Sequence, residues 1–358
     1  MKKIGILGAG LAGLAFLLGI HDQTRFFQAY IVAFLFWMAI PMGALALRLI
    51  HYLTGGEWGK ALTSFIEAAI RTVPLIILLF IPVILGMKFL YPWANPSHEM
   101  AHILTGFKGI YLTPHAFMIR AAVCLGIWLV TSLVLAKAGK GSENREEASA
   151  GLQGFSGIAL LLYVLTMTVA ITDWAMSLKP EWYSTIYGAM FMIGQGLSAL
   201  SFGLITLIYF STPEEKSRVR PDAYHDLGNL LLAFTMLWAY MNLSQFLIIW
   251  SGNLAEESVW YLDRFKNGWQ YAGFAMLILQ FFMPFFILLS RSFKRNPNAL
   301  GKIAILIFAA RLADLFRTVK PAFYPGLCFT LPDLLLWAGL GGIWISFFFI
   351  QKESLAKK

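Results

Sequence analysis

Apolar residues fall in long runs separated by short polar stretches. The runs cover residues 4–20, 28–53, 73–91, 115–137, 153–176, 186–211, 227–250, 268–290, 302–320 and 332–350. Each is at least as long as the roughly 17 residues a helix needs to cross a bilayer. Open strands would leave N–H and C=O groups unpaired in lipid, so the runs predict helices. None shows the alternation of a membrane barrel, apolar outward and polar inward over about ten residues. The expectation is an all-α polytopic membrane protein with about ten transmembrane helices, forming one integral membrane domain over residues 1–358. The stretches 54–72 and 91–114 are the long connections, and the first reads as a surface helix from Trp58 to Thr72.

Composition agrees with the pattern. Of 358 residues, 58% are hydrophobic and only 13% charged, against about 25% charged in a soluble domain. So few charges cannot coat a soluble core of this size. A soluble enzyme, a disordered chain and a nucleic-acid binder are excluded. The net charge of +9 then reports loops on one side of a membrane. Lys2, Lys3, Lys60, Arg71, Lys137, Lys140, Arg145, Lys216, Arg218, Arg220, Arg291, Lys294, Arg295, Lys302, Lys352, Lys357 and Lys358 gather on one face. The positive-inside rule makes that face cytoplasmic and places both termini there. Tyr91, Trp93, Trp174, Trp182, Tyr183, Trp250, Trp260, Tyr261 and Trp269 sit at span ends on the other face, where an interfacial aromatic belt is expected. Two cysteines, Cys124 and Cys328, are too few for an iron–sulfur cluster, which needs about four thiolates.

Three motifs invite other readings. Gly8, Gly10 and Gly13 spell G-x-G-x-x-G. That fingerprint needs a soluble βαβ unit and a later acidic residue, and the following residues are membrane span instead. Gly5, Ala9 and Gly13, four residues apart, suit close helix packing. The basic start and apolar run also suit a cleavable signal, but no small-x-small site follows, so the run is kept as a first span. His98, Glu99 and His102 spell H-E-x-x-H, a zinc-protease pattern. Asn95-Pro96 places it in a loop and no third ligand follows, so the metal reading is rejected. Buried bis-histidine haem fails too, because His51 and His225 sit at cytoplasmic helix ends and His21, His98, His102 and His115 at the outer face, none inside a span.

Ionisable and amide side chains within spans are expensive and mark function by default. Arg311 and Asp314, three residues apart, fall mid-span, with Arg317 one turn further. Asp226 and His225 open the seventh span near Arg218 and Arg220; a carboxylate at a helix N-terminus also suits the dipole. With Asn242 and Gln245 these residues are candidates for a proton path. Gln195 and Ser198 give the sixth span a polar stripe. Asp173 closes the fifth span beside Trp174, and Arg120 and His115 lie at the matching end of the fourth. These three are candidates for an outer quinone or proton site, since quinol oxidation needs proton acceptors.

Several stretches together resemble a known family. They are Leu90–Ala94, Tyr111–Arg120, Thr172–Gly188, His225–Asn253, Glu256–Glu257 with Trp260–Tyr261, and Arg311–Pro321. The most specific is D-W-x-M-S-L followed by W-x-S-T-x-x-G, at Asp173–Leu178 and Trp182–Gly188. The chain resembles the polysulfide-reductase-type membrane subunits, in particular the second such component of bacterial alternative complex III. The resemblance implies two four-helix bundles, at about 28–176 and 186–320, with spans 4–20 and 332–350 peripheral. It implies a component of a quinol-oxidising respiratory complex of the bacterial inner membrane, contributing proton translocation and offering a quinone pocket. Haem and iron–sulfur centres would lie on partners: a paralogous membrane subunit, an iron–sulfur subunit, multihaem cytochromes c and a terminal oxidase. This chain would bind none of these centres itself. A membrane scaffold, a secondary transporter and an intramembrane zinc protease are the alternatives.

Overall fold

The computed structural model describes residues 2–138, 145–217 and 219–357. Lys140, Arg218 and Lys358, and the side chains of Lys2 and Arg145, lie outside the described residues. Every regular element among the described residues is helical. Seven helices are long and apolar enough to cross a membrane: Gln23–Thr54, Pro114–Ala138, Gly151–Leu178, Tyr187–Tyr209, Pro221–Gly252, Trp269–Leu289 and Leu331–Ala356. Thr63–Ile70 and Val73–Leu85 meet at 43° and make an eighth if they act together. The first and ninth apolar runs are helices as well, Lys2–Gly19 and Pro297–Val319. The first is short, and the second carries Lys302, Arg311, Asp314 and Arg317.

Helices 23–54 and 187–209 form the centre and pack on each other. Their contact is close because Gly43 lies against the backbone of Gln195, where a Cβ would come within 2.1 Å of the carbonyl oxygen. Around helix 23–54 stand helices 63–70, 73–85, 145–174 and 331–356, while helices 221–252 and 297–319 flank helix 187–209. Helices 221–252 and 269–289 keep most of their apolar surface exposed, which suits lipid contact.

The N-terminal helix lies antiparallel along the C-terminal one. Gly5 meets Ser346, Gly8 meets the backbone at Gly339 and Gly342–Ile343, and Ala12 meets Gly339. Both described ends therefore lie on the same face. The expected glycine face was Gly5, Ala9 and Gly13, but Gly13 has open space around its Cα. The contact instead steps by three and four residues, Gly5–Gly8–Ala12, following the 3.6-residue turn of the helix.

Residues 58–72 are not a surface helix. Leu62, Phe65, Ile66 and Ala68–Ile70 are buried, and the segment runs into the next helix at the bend. Pro74 lies at the start of that next helix. Proline has no N–H to continue the ladder, so the break falls just before it. Thr72 at the break is buried; its hydroxyl donates to Ala69 O at 2.7 Å and accepts from Trp344 Nε1 at 3.0 Å.

The aromatic belt is also corrected. Trp250 and Tyr183 are exposed as expected, but Tyr91, Trp93, Trp174, Trp182, Trp260 and Trp269 are buried. Several are packed for their polar ends as much as their rings. Tyr91 donates to Trp174 O at 3.2 Å, Trp93 Nε1 to Ser177 O at 3.1 Å, and Trp182 Nε1 to Glu257 O at 3.1 Å. A buried indole or phenol usually takes such a partner.

Candidate functional site

The first group is built where helix 114–138 meets the end of helix 145–174. Arg120 grips Asp173 with two parallel bonds, Nε to Oδ2 at 2.7 Å and Nη2 to Oδ1 at 3.0 Å. Such a fork fixes both side chains in one plane. Asp173 is 1% exposed. The Tyr111 ring covers the guanidinium, 3.7 Å from its centroid. Burial and the adjacent Asp173 carboxylate together hold the Tyr111 phenol well above the usual tyrosine range, so it keeps its proton. Ser177 Oγ donates to Asp173 O at 2.5 Å and ties the helix end to the turn that follows. Cys124 and Trp128 bond Thr166 beneath the pair, at 3.4 and 2.9 Å. His115 does not join this group; it is exposed in the first turn of its helix.

Beside this pair lies an apolar cavity of about 530 Å3, walled by Phe107, Tyr111, Leu112, Thr172, Met176, Pro180, Trp182 and Tyr183, with Lys108 and Ser177 as its polar members. Its volume falls within the range of small-molecule sites, about 300–1,000 Å3, and few polar groups on an apolar wall are typical of them.

The second group sits between helices 221–252 and 297–319. Asp314 accepts from Arg311 and from Trp238 Nε1, the latter at 3.0 Å, and Arg317 lies 3.5 Å away. Arg311 reaches this position across Gly194, whose missing side chain makes room for the guanidinium. Asn242 turns back onto its own helix, donating to Trp238 O at 2.8 Å. A cavity of about 20 Å3 lies against Trp238, Asn242, Arg311, Asp314 and Thr318, room for a water. A second small void is lined by Met176, Lys179, Trp182, Tyr187, Arg264 and Thr318. Met176 and Trp182 thus wall both this void and the 530 Å3 cavity, while Thr318 borders both small voids. The larger cavity and the void at Asp314 are thus linked by shared lining residues through the second small void.

The remaining candidates are more scattered. Asp226 is half exposed and 3.9 Å from His225. His225 touches Asn229 at 3.3 Å, and Asn229 accepts from the buried Lys294 at 2.6 Å. Gln245 is buried one turn beyond Asn242. Gln195 is buried and accepts from the Tyr163 hydroxyl at 2.5 Å, on the residue next to Gly194. His98 and His102 lie on a short helix, His98–Ile103, rather than in the expected loop, and share its exposed face with ring centroids 5.0 Å apart. No group of three metal-capable side chains occurs among the described residues.

Sequence reading missed four participants. Tyr163 and Gln280 had a usable signal, a polar side chain inside an apolar run. Arg264 and Lys179 lie in loop sequence with none. Arg264 is buried, with Nη1 donating to Trp260 O at 2.7 Å and Nη2 to Thr318 O at 2.6 Å. Thr318 lies in the last turn of its helix, whose dipole offsets the cation. Lys179 pairs with Asp263. No protein-family model matches the chain, and no curated protein matches it.

Proposed function

We propose that the chain is a polysulfide-reductase-type membrane component of a bacterial respiratory complex that oxidises membrane quinol, with both termini cytoplasmic. In this reading ten helices form two four-helix bundles with the first and last helices peripheral. The packing order supports it. Helices 23–54, 73–85, 114–138 and 145–174 each touch the next and the last touches the first; helices 187–209, 221–252, 269–289 and 297–319 do the same.

The observation that carries the functional reading is the 530 Å3 apolar cavity lined by Tyr111 and Ser177, which touch Arg120 and Asp173 of the buried pair. A quinol ring fits an apolar wall with few polar groups. Its oxidation releases two protons and two electrons. Asp173, held by Arg120 and next in sequence to the cavity-lining Thr172, serves as the acceptor. Asp314, with Arg311, lies beyond the small voids and extends the proton path, with His225 and Asp226 at the opposite face. The electrons leave to iron–sulfur and haem centres on partners: a paralogous membrane subunit, an iron–sulfur protein, multihaem cytochromes and a terminal oxidase.

The test is purification in gentle detergent through a C-terminal tag, with mass spectrometry, a haem spectrum and solvent extraction of bound quinone. Multihaem cytochromes and an iron–sulfur protein should accompany the chain, and Asp173→Asn should lower quinone content. A colourless lone protein without quinone overturns the assignment. That outcome would favour a transporter, for which the 43° break at Arg71–Thr72 is the supporting feature, since carriers use interrupted helices.

A further inference from the structure

Two buried glutamines in the second half of the chain have no partner among the described residues for either polar atom of the amide. Gln245 is 1% exposed and Gln280 is 0% exposed, and both amide ends of each lack a hydrogen bond within the chain. Leaving a buried amide group unsatisfied costs about 1–3 kcal/mol. Four such atoms would consume a large part of the stability of a typical fold, about 5–15 kcal/mol.

Their placement is not random. Gln245 lies three residues beyond Asn242 and seven beyond Trp238, so the three share one face of helix 221–252. Trp238 and Asn242 wall the 20 Å3 void at Asp314. Gln280 lies in the Leu277–Phe282 stretch, a π-helical turn. That turn packs on helices 221–252 and 297–319, and the Gln280 side chain is fully buried there. One-turn π segments widen a helix locally and concentrate at functional sites.

We infer that the interface of helices 221–252, 269–289 and 297–319 is an internal water site, in which Gln245 and Gln280 hold solvent continuous with the void at Asp314. The ligand is water: the amides offer donors and acceptors together, the site is enclosed, and a buried water takes about three hydrogen bonds from such groups. This site stands independently of quinol chemistry. Where the chain carries protons, it supplies the hydrogen-bonded medium beside Asp314.

The test uses the full chain in lipid nanodiscs and radiolytic labelling in 18O water, which oxidises side chains next to bound water. Met190 and Trp238, both buried beside the void, should label severalfold faster than Met38 and Met42, which are buried in helix 23–54. Gln245→Leu with Gln280→Leu should reduce that labelling to the Met38 level. Thermal unfolding gives an independent sign. If water satisfies the amides, each leucine variant lowers Tm; if the amides are dry, leucine removes unsatisfied groups and raises it. Equal labelling of all four residues in the parent chain, or a raised Tm with unchanged labelling in the variants, overturns the inference.

Discussion

Arg120 and Asp173 give the sharpest quantitative expectation. Asp173 retains 1% of its side-chain surface and Arg120 20%. Removing one partner of a buried pair leaves an uncompensated charge and costs about 3–5 kcal/mol. The two single variants should differ. Arg120→Met strands a carboxylate that cannot reach water, so its cost falls near the upper figure. Asp173→Leu strands a guanidinium that is already partly exposed and stacked on Tyr111, so its cost falls near the lower one. The double variant strands neither and should be the least destabilised, because replacing a whole buried pair with apolar groups is often close to neutral. The double-mutant cycle should therefore return a coupling of about 2 kcal/mol or more, outside the additivity of independent sites, about 0.5 kcal/mol. At roughly 2–4 °C per kcal/mol, the Tm order is double variant, then Asp173→Leu, then Arg120→Met. Tryptophan fluorescence during heating in detergent reads it. Additive losses, or a double variant worse than both singles, would refute the buried-pair reasoning.

Other consequences follow from the packing and the charges. Gly339→Leu should dislodge the N-terminal helix, because even a Cβ there comes within 2.8 Å of the Ala12 backbone nitrogen; protease access to residues 2–19 would rise sharply, and unchanged protection would contradict the crossing. Burial pushes the Glu215 carboxyl up, but bonds from Lys352, the Thr212 N–H and Ser64 outweigh it and hold its pKa below 4.5. A depressed folded pKa stabilises above the unfolded value and loses that stabilisation as pH falls. The tie from Glu215 to the C-terminal helix should thus be intact at neutral pH and fade below about pH 4.5, and Glu215→Gln should flatten that part of the Tm–pH curve. Asp314→Asn should leave assembly intact while reducing proton release in reconstituted quinol oxidation severalfold; unchanged release with an intact complex would return the second group of residues to a structural role.

Periodicity and composition alone determined the all-helical membrane character and the position of each long helix. Apolar runs of bilayer length have one solution in lipid, and Pro74 and Pro114 mark helix starts by chemistry local to them. The intramembrane charges were legible for the same reason: Arg311, Asp314 and Asp173 are costly wherever they are placed, so their presence in apolar sequence is itself a signal. Their partners were not. Arg120 and Asp173 are 53 residues apart and Trp238 and Asp314 are 76 apart. Such pairings depend on which helices become neighbours, and a series of apolar runs permits many arrangements. Tertiary packing also reversed the meaning of the aromatics, because Trp93, Trp174 and Trp182 have the same sequence signature at a lipid interface as in a buried wall. It turned Gly8 from part of a nucleotide-like string into a helix crossing. The 530 Å3 cavity forms where residues from 107–112, 172–177 and 180–183 converge, which no single segment specifies.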